Sequence, residues 1–312
     1  MPLNRLNVAN VAAYAVNAFI TFYSMTGAFG ETNGFVSSKF QTIITPAGWA
    51  FSIWGIIFTG ELLFVMAQCL ESVRDTDLVQ KGVGWGWVAA STFQCAWTFA
   101  FAQEQLILST VFISLIFLSL AGVVRRSAQV ARLDSIGLDL LCRLPLTTHF
   151  AWLAAATALN VNLVVVQQGG SASEQLSCGV TSLAVVFALA ATLSSKAFTG
   201  RSVTALVGCW ALAAIADELA TPMDAAQCQE ATGGTDCNMI SEIFDSDTIG
   251  GVRAAAKNLS ITCGVLAVLG GLLGRLAAGS GGNKTSKAAA AAADAGTEEA
   301  ANETTTIRLP LI

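Results

Sequence analysis

The chain has 312 residues, of which 54% are hydrophobic and 12% are charged, with a net charge of −5. A soluble protein carries about twice that charged fraction. The composition therefore excludes an ordinary soluble domain and predicts an all-α integral membrane protein, with the lipid bilayer as its surroundings and no nucleic-acid partner.

Eight apolar stretches predict membrane helices, because a bilayer core needs about 20 apolar residues per helix. The third stretch opens on glycines and the seventh ends in Asp217 and Glu218, so these two are the weakest. In chain order the predicted spans are 8–27, 47–68, 83–102, 105–124, 141–167, 175–194, 203–221 and 253–277.

The basic residues support this count because they segregate between alternate links. With the N-terminus placed inside, the inside segments hold 13 of the 16 Lys and Arg residues, and the outside segments hold Lys39, Arg253 and Lys257. Cytoplasmic loops collect positive charge. The pattern therefore predicts a multi-pass protein with eight helices and both termini in the cytoplasm.

The chain divides into three predicted parts. Residues 1–168 hold a five-helix membrane bundle, and residues 169–277 hold three further helices with a polar outside loop at 222–251. Residues 278–312 have few branched apolar or aromatic side chains to offset the entropy of ordering them. We therefore expect this cytoplasmic tail to be disordered.

The second span, which begins TPAGWAFSIWGIIF, carries aromatic residues and one carboxylate. Trp54, Phe58 and Glu61 follow at helical spacing and share a face. Trp49 fits an aromatic belt at the membrane interface as well as it fits a pocket. Glu61 either extends to the interface or serves as a polar group within a pocket, since an unpaired carboxylate in lipid is costly.

The fifth span places His149, Trp152 and Asn160 on a single helical face. This face suits a flat ligand with peripheral acceptors, and it equally suits a helix–helix contact. His149 is the only histidine, which rules out histidine-rich metal sites and leaves an axial tetrapyrrole ligand as a minor alternative. Nucleophile elbows and phosphate-binding glycine loops are absent from the sequence, so we predict neither catalytic nor metal-ligating residues.

Three motifs in chain order resemble the tryptophan-rich TspO/MBR family of translocator proteins. The second-span motif is Pro-x-Gly-Trp-x-Phe with a second Trp, the third-span motif is Asn-x-x-Trp with Gln in place of Asn, and the fifth-span motif is Trp-x-x-x-Ala-x-x-x-Asn. The spacing of the first two tryptophans is similar to a longer, divergent branch. The resemblance covers about residues 1–168 and rests on Pro46, Gly48, Trp49, Phe51, Trp54, Phe58, Gln94, Trp97, Trp152, Ala156 and Asn160.

The resemblance implies a membrane receptor or carrier that binds a planar hydrophobic ligand of the tetrapyrrole or sterol class. No cofactor is required, although a tetrapyrrole is a possible ligand. The expected ligand-binding residues are Trp49, Trp54, Phe58, Gln94, Trp97, His149, Trp152 and Asn160.

Two other functions stay open. One is a structural or assembly subunit, for which the three extra helices, without a counterpart in the short family members, would dock other membrane proteins. The other is a secondary transporter for a small solute. Gly270 and Gly274 form a small-residue pair in the last span, which would serve packing inside the bundle or a homodimer.

Two of the eight cysteines differ from the rest. Cys228 and Cys237 lie in the long outside loop, which the predicted topology places in a potentially oxidising compartment. We predict that they form a disulfide. The other six lie in or beside spans, where cysteine behaves as a small apolar residue.

Overall fold

A computed structural model describes residues 3–195 and 201–271. Across these ranges the protein is helical, with turns and short links between the helices. The predicted tail 278–312, the end of the eighth span and Gly274 lie outside the described residues. The helices are α1 (Arg5–Ser24), α2 (Asn33–Lys39), α3 (Ile53–Ala67), α4 (Gly84–Ala102), α5 (Leu106–Ser127), α6 (Ile136–Gln167), α7 (Ala172–Ser195), α8 (Arg201–Glu218), α9 (Ala225–Thr232), α10 (Ile240–Ile243) and α11 (Ser246–Gly271).

Six of the described helices are long and apolar enough to cross a membrane: α1, α3 with the turn before it, α5, α6, α7 and α11. The predicted third and seventh spans form α4 and α8, which do not meet that standard. Tryptophans and Gln94 lower the hydropathy of α4, and α8 begins at Arg201 and ends in two acids. Eight membrane spans therefore stay a prediction, while an integral membrane protein is supported.

The second span is predicted to begin at residue 47, but α3 begins at Ile53. A 3₁₀ turn at Gly48–Ser52 comes first, and the Thr45 hydroxyl accepts the Thr42 amide at 2.8 Å. The Ala47 amide instead donates to the Ala214 carbonyl of α8 at 3.0 Å. The N-terminal end of α3 with the turn before it, which we name the entrance of α3, is thus held by α8.

Both long links contain helices where the sequence predicts only loops. The first contains α2, and the second contains α9 and α10. The Asn238 side-chain amide donates to the Gln41 carbonyl at 2.6 Å, and α2 packs on α9. Cys228 and Cys237 are joined by a disulfide, so the second link is tied to itself and to the first.

The largest apolar core lies between α3, α4, α5 and α6, and α8 contributes to it through Val207, Ala211 and Ala214. A smaller cluster joins Ile43 and Ile44 to α7, α8 and the second link. By contacts, the described residues up to Ala267 form one compact unit. Helices from both sides of residue 168 therefore pack within the same unit.

The bundle has two chemically different ends. What we name the basic end is where α3 and α5 finish and α4 and α6 begin. There Arg143 pairs with Asp139 at 2.9 Å, and the Arg126 guanidinium donates to the Gly82 carbonyl at 3.3 Å. What we name the acidic end is where α1, α4 and α8 finish, and there Gln41 donates to Glu218 at 2.9 Å.

Candidate functional site

A chamber of about 530 Å³ lies at the acidic end. Its wall comes from α1, α2, the link to α3, α3, α4 and the end of α8. The lining residues are Thr21, Phe22, Met25, Thr32, Asn33, Gly34, Ser37, Ser38, Gln41, Thr45, Pro46, Gly48, Phe51, Trp54, Phe58, Gln94, Trp97, Glu218 and Met223.

A narrow crevice of about 60 Å³ adjoins the chamber and extends between α5, α6, α7 and α8. Its lining is largely apolar and includes Trp152, Ala156, Asn160 and Ile215. The two cavities share part of their walls, so they form one continuous concave surface. The shared residues are Asn33, Ser37, Pro46, Phe51, Trp54 and Trp97.

The chamber lining contains both flat aromatic rings and short polar side chains. Five aromatic residues contribute, from α1, the turn before α3, α3 and α4. The hydroxyls and amides come mostly from α2 and the link that follows it. Among the described residues, Glu218 is the one charged side chain on this wall, and no Lys, Arg or His lines it.

Trp97 and Asn160 hold each other where the two cavities meet. The Trp97 indole donates from Nε1 to Asn160 Oδ1 at 3.0 Å. The Asn160 amide in turn donates to Ser109 Oγ at 2.7 Å and to Thr110 Oγ1 at 3.0 Å. Phe101 stacks on the Trp97 ring, with centroids 4.9 Å apart. This side of the wall is therefore fixed before any ligand arrives.

Gln94 ties α4 to α1 at the chamber. The Asn17 amide donates to Gln94 Oε1 at 3.2 Å, and both side chains are buried. Because Asn17 is held by a partner on α4, this polar residue on α1 is satisfied within the bundle instead of facing lipid. The pair also brings Phe22 of α1 to the chamber wall.

Trp54 separates the chamber from a buried polar cluster. His149 lies edge-on to the Trp54 ring, with centroids 5.6 Å apart. Behind it, His149 Nδ1 is 2.8 Å from Glu61 Oε1, and the Trp87 indole donates to the same oxygen at 3.1 Å. Glu61 is only 1% exposed. It therefore neither reaches the interface nor lines either cavity, which differs from both interpretations of the sequence.

The structure places the eight expected ligand-binding residues in three groups. Trp54, Phe58, Gln94 and Trp97 line the chamber, and Trp152 and Asn160 line the crevice. His149 lies behind Trp54, in neither wall. Trp49 also lies in neither wall: it is 42% exposed and donates to Asp217 at 2.9 Å.

Several wall residues are not among the expected ligand-binding residues. Phe22, Gln41 and Glu218 lie outside the three motifs, on helices and links far apart in the chain. Trp87 is a missed partner as well, although a carboxylate at membrane depth requires a donor and the tryptophans of α4 are the nearest candidates. For Gln41 and Glu218 no local pattern exists, because 177 positions separate them.

Within residues 3–195 and 201–271, two buried ring nitrogens have no hydrogen-bond partner, Trp152 Nε1 and His149 Nε2. A buried donor without a partner costs stability. Trp152 lines the crevice, so its N–H is the group in that wall that a ligand acceptor could satisfy. For metal binding, residues 3–195 and 201–271 contain no group of three His, Cys, Asp or Glu side chains.

A comparison with protein families finds one relevant match. A family model described as TSPO-like protein matches residues 7–226. The match extends beyond residue 168, where the motif resemblance ends, and includes α7 and α8. Both helices line the crevice. No curated protein and no solved structure matches the chain.

Proposed function

We propose that this chain, which belongs to the TSPO-like protein family, is a membrane receptor or carrier for a planar hydrophobic ligand. The ligand occupies the chamber and is of the tetrapyrrole or sterol class. Binding sites for such molecules are concave and mostly apolar, with few polar groups that fix the orientation. The chamber and the crevice beside it have this composition.

The observation that carries the proposal is a large chamber walled by aromatic rings from several helices. Phe22, Trp54, Phe58 and Trp97 present flat apolar surface around a volume of about 530 Å³. Aromatic side chains contribute large contact areas at a low entropic cost when they are already fixed. Trp54 and Trp97 are fixed, by His149 and Asn160 respectively.

The crevice supplies the orienting group of the proposal. At about 60 Å³ it is too narrow for a whole ring system, so it takes an edge or substituent of the ligand. A carbonyl or ether oxygen there would accept the unpartnered Trp152 N–H. No bond-making step is needed, and we propose binding or carriage without catalysis.

The test uses full-length protein in phosphatidylcholine nanodiscs and the uncharged protoporphyrin dimethyl ester as a flat probe. The probe absorbs where tryptophan emits, so quenching of protein fluorescence gives a Kd. We expect Trp54→Ala and Trp97→Ala to weaken binding by about tenfold or more, as central aromatic anchors do. Trp85→Ala is the matched control, since Trp85 lies on α4, is 60% exposed and lines neither cavity.

Equal Kd values for the two wall variants and the control would reject this chamber as the site. A structural or assembly role would then be the better reading. In that case stoichiometric membrane partners should co-purify with the protein in mild detergent.

A further inference from the structure

We propose that the chamber selects its ligand by charge: it takes a planar lipophile that carries a protonated amine, which Glu218 holds, and it disfavours carboxylates. This inference rests on the proposed function, because it names the class of ligand for the same chamber. It separates ligands of equal shape, which aromatic walls alone do not distinguish.

The first support is the charge of the wall itself. Glu218 is the one ionisable side chain among the described residues that line the chamber. It is half-buried, and Gln41 donates to one of its oxygens at 2.9 Å, which fixes the carboxylate at the end of α8. A ligand carboxylate in the same chamber would meet this charge and find no Lys, Arg or His to offset it.

The second support is that the basic side chain nearest in sequence to the chamber lining is already neutralised. Lys39 follows Ser37 and Ser38, which line the chamber, but its ammonium pairs with Glu104 at 2.6 Å. The same ammonium lies 5.1 Å from the Phe40 ring centroid. Lys39 is therefore not free to bind a ligand carboxylate.

The third support is the backbone at the same place. Glu218 is the last residue of α8, and the C-terminus of a helix carries a partial negative charge that favours cations. Aromatic faces attract ammonium groups as well, and Trp54, Trp97 and Phe58 line the chamber. A carboxylate, a helix end and aromatic rings in the wall of the same chamber all favour a positive charge.

The fourth support is the charge of the whole acidic end. Its segments, 25–47, 103–105, 168–174 and 217–257, hold eleven Asp and Glu residues against three Lys and Arg residues. A surface of one sign raises the local concentration of oppositely charged ligands and speeds their association. The acidic end should therefore speed the association of amine-bearing ligands, in addition to the favourable charges inside the chamber.

The experiment uses three porphyrins with the same ring and different side chains, ending in two amines, two methyl esters or two carboxylates. Full-length protein in phosphatidylcholine nanodiscs is titrated with each one at pH 7 and low salt, with tryptophan quenching as the readout. We expect the amine to bind tightest, and about tenfold tighter than the carboxylate, as expected for one partly screened charge pair.

Glu218→Gln keeps the size and the acceptor for Gln41 but removes the charge. In this variant the affinity for the amine porphyrin should fall about tenfold, while the affinity for the ester porphyrin should change by less than about twofold. Asp217→Asn is the matched control, because Asp217 is the neighbouring acid, is exposed and binds Trp49 instead of lining the chamber. Glu218→Lys should reverse the order and favour the carboxylate.

The outcomes separate the two proposals. If the ester does not bind, or binds without dependence on Trp97, the proposed function fails. If the ester binds as expected but amine and carboxylate bind equally, or Glu218→Gln leaves their order unchanged, this inference alone is overturned. A salt titration of the unmodified protein does not depend on whether any variant folds. Added salt should weaken binding of the amine porphyrin and leave binding of the ester unchanged. A Kd for the amine that does not change with salt contradicts the inference.

Discussion

At the basic end, arginine side chains fill the space between helices. Arg143 pairs with Asp139 and donates to the backbone carbonyls of Ser127, Val130 and Ala131, which lie at and just beyond the end of α5. At the acidic end the cross-links include side-chain amides and the Lys39–Glu104 ion pair, but no arginine, and a chamber of about 530 Å³ stays open among the described residues. A planar guanidinium with five donors satisfies several carbonyls at once, whereas a short amide satisfies fewer and leaves volume.

The two ends therefore show that charge asymmetry along a membrane bundle does more than set orientation. The same basic residues close one end by binding carbonyls. Their scarcity at the other end leaves a cavity whose one charged group is an acid. The following experiments change each end in turn, from the largest expected effect to the smallest.

The largest effect is expected from opening the basic end with Arg143→Ala. This change leaves Asp139 buried without its partner and several carbonyls without donors, which should cost about 3–5 kcal/mol of unfolding free energy. Denaturation in mixed micelles measures the loss. Arg125→Ala, an exposed arginine on α5, is the control and should change stability by less than about 0.5 kcal/mol. Equal stability of both variants would show that Arg143 does not close this end.

At the acidic end, reduction of the Cys228–Cys237 disulfide should have the next largest effect. Opening a short covalent loop costs about 2–3 kcal/mol on the chain-entropy account, and the loop packs on α2 through α9. Thermal melting with and without reductant measures this. The double variant Cys228→Ser, Cys237→Ser should have the melting temperature of the reduced protein, and reductant should not change it. A reductant-sensitive double variant would place the effect elsewhere.

Trp97→Phe should weaken the wall of the chamber while keeping an aromatic ring. The change removes the donor to Asn160 Oδ1 and leaves that oxygen buried, at a cost of about 1–3 kcal/mol. Trp85→Phe on the same helix should cost less than about 0.5 kcal/mol, because the site is exposed. If both variants denature alike, the Trp97–Asn160 bond does not stabilise the wall.

The smallest effect is expected at Asp245, which precedes α11. The Thr248 backbone amide and hydroxyl donate to its carboxylate at 2.7 and 3.0 Å, and these hydrogen bonds lower the pKa of Asp245 below its ordinary value. Since the folded-state pKa is lowered, the stabilisation is complete above the ordinary pKa and is lost as the pH falls through the lowered one. Hydrogen exchange at the Thr248 amide should quicken over that acidic range.

Asp245→Asn serves as the control for this titration, because an amide oxygen still accepts the Thr248 amide but does not titrate. The variant should exchange at a rate without that pH dependence, after correction for intrinsic exchange. The same acid dependence in both proteins would mean that another group is responsible.

Local features of the site were predictable from the sequence. Trp54 and Phe58 share a helical face by spacing alone, and both line the chamber. Trp152 and Asn160 likewise share a face and line the crevice. Helical periodicity fixes such neighbours, because residues three or four apart in a helix lie side by side wherever the helix packs.

Features that depend on distant helices were not predictable. His149 lies on the expected face of α6, but Glu61 holds it behind Trp54. The shared helical face alone could not show which residues line a cavity and which support its wall from behind. The interpretation of Glu61 was wrong for the same reason, since its donor Trp87 is on another helix. Hydropathy also gives no sign that α4 and α8 line the cavities. The tryptophans and polar residues through which these helices form contacts make them less apolar.

The entrance of α3 has a consequence for biosynthesis. Its backbone and rings are secured by α8: the Trp210 indole donates to the Ala50 carbonyl, 160 positions earlier, and Asp217 receives the indole N–H of Trp49. A ribosome makes the N-terminal helices first, and domains generally fold as units during synthesis. This entrance cannot close until α8 has been translated, so in a nascent chain halted after α6 the Trp49 N–H and the Ala50 carbonyl should lack these partners and the entrance should stay open to proteases or to membrane chaperones.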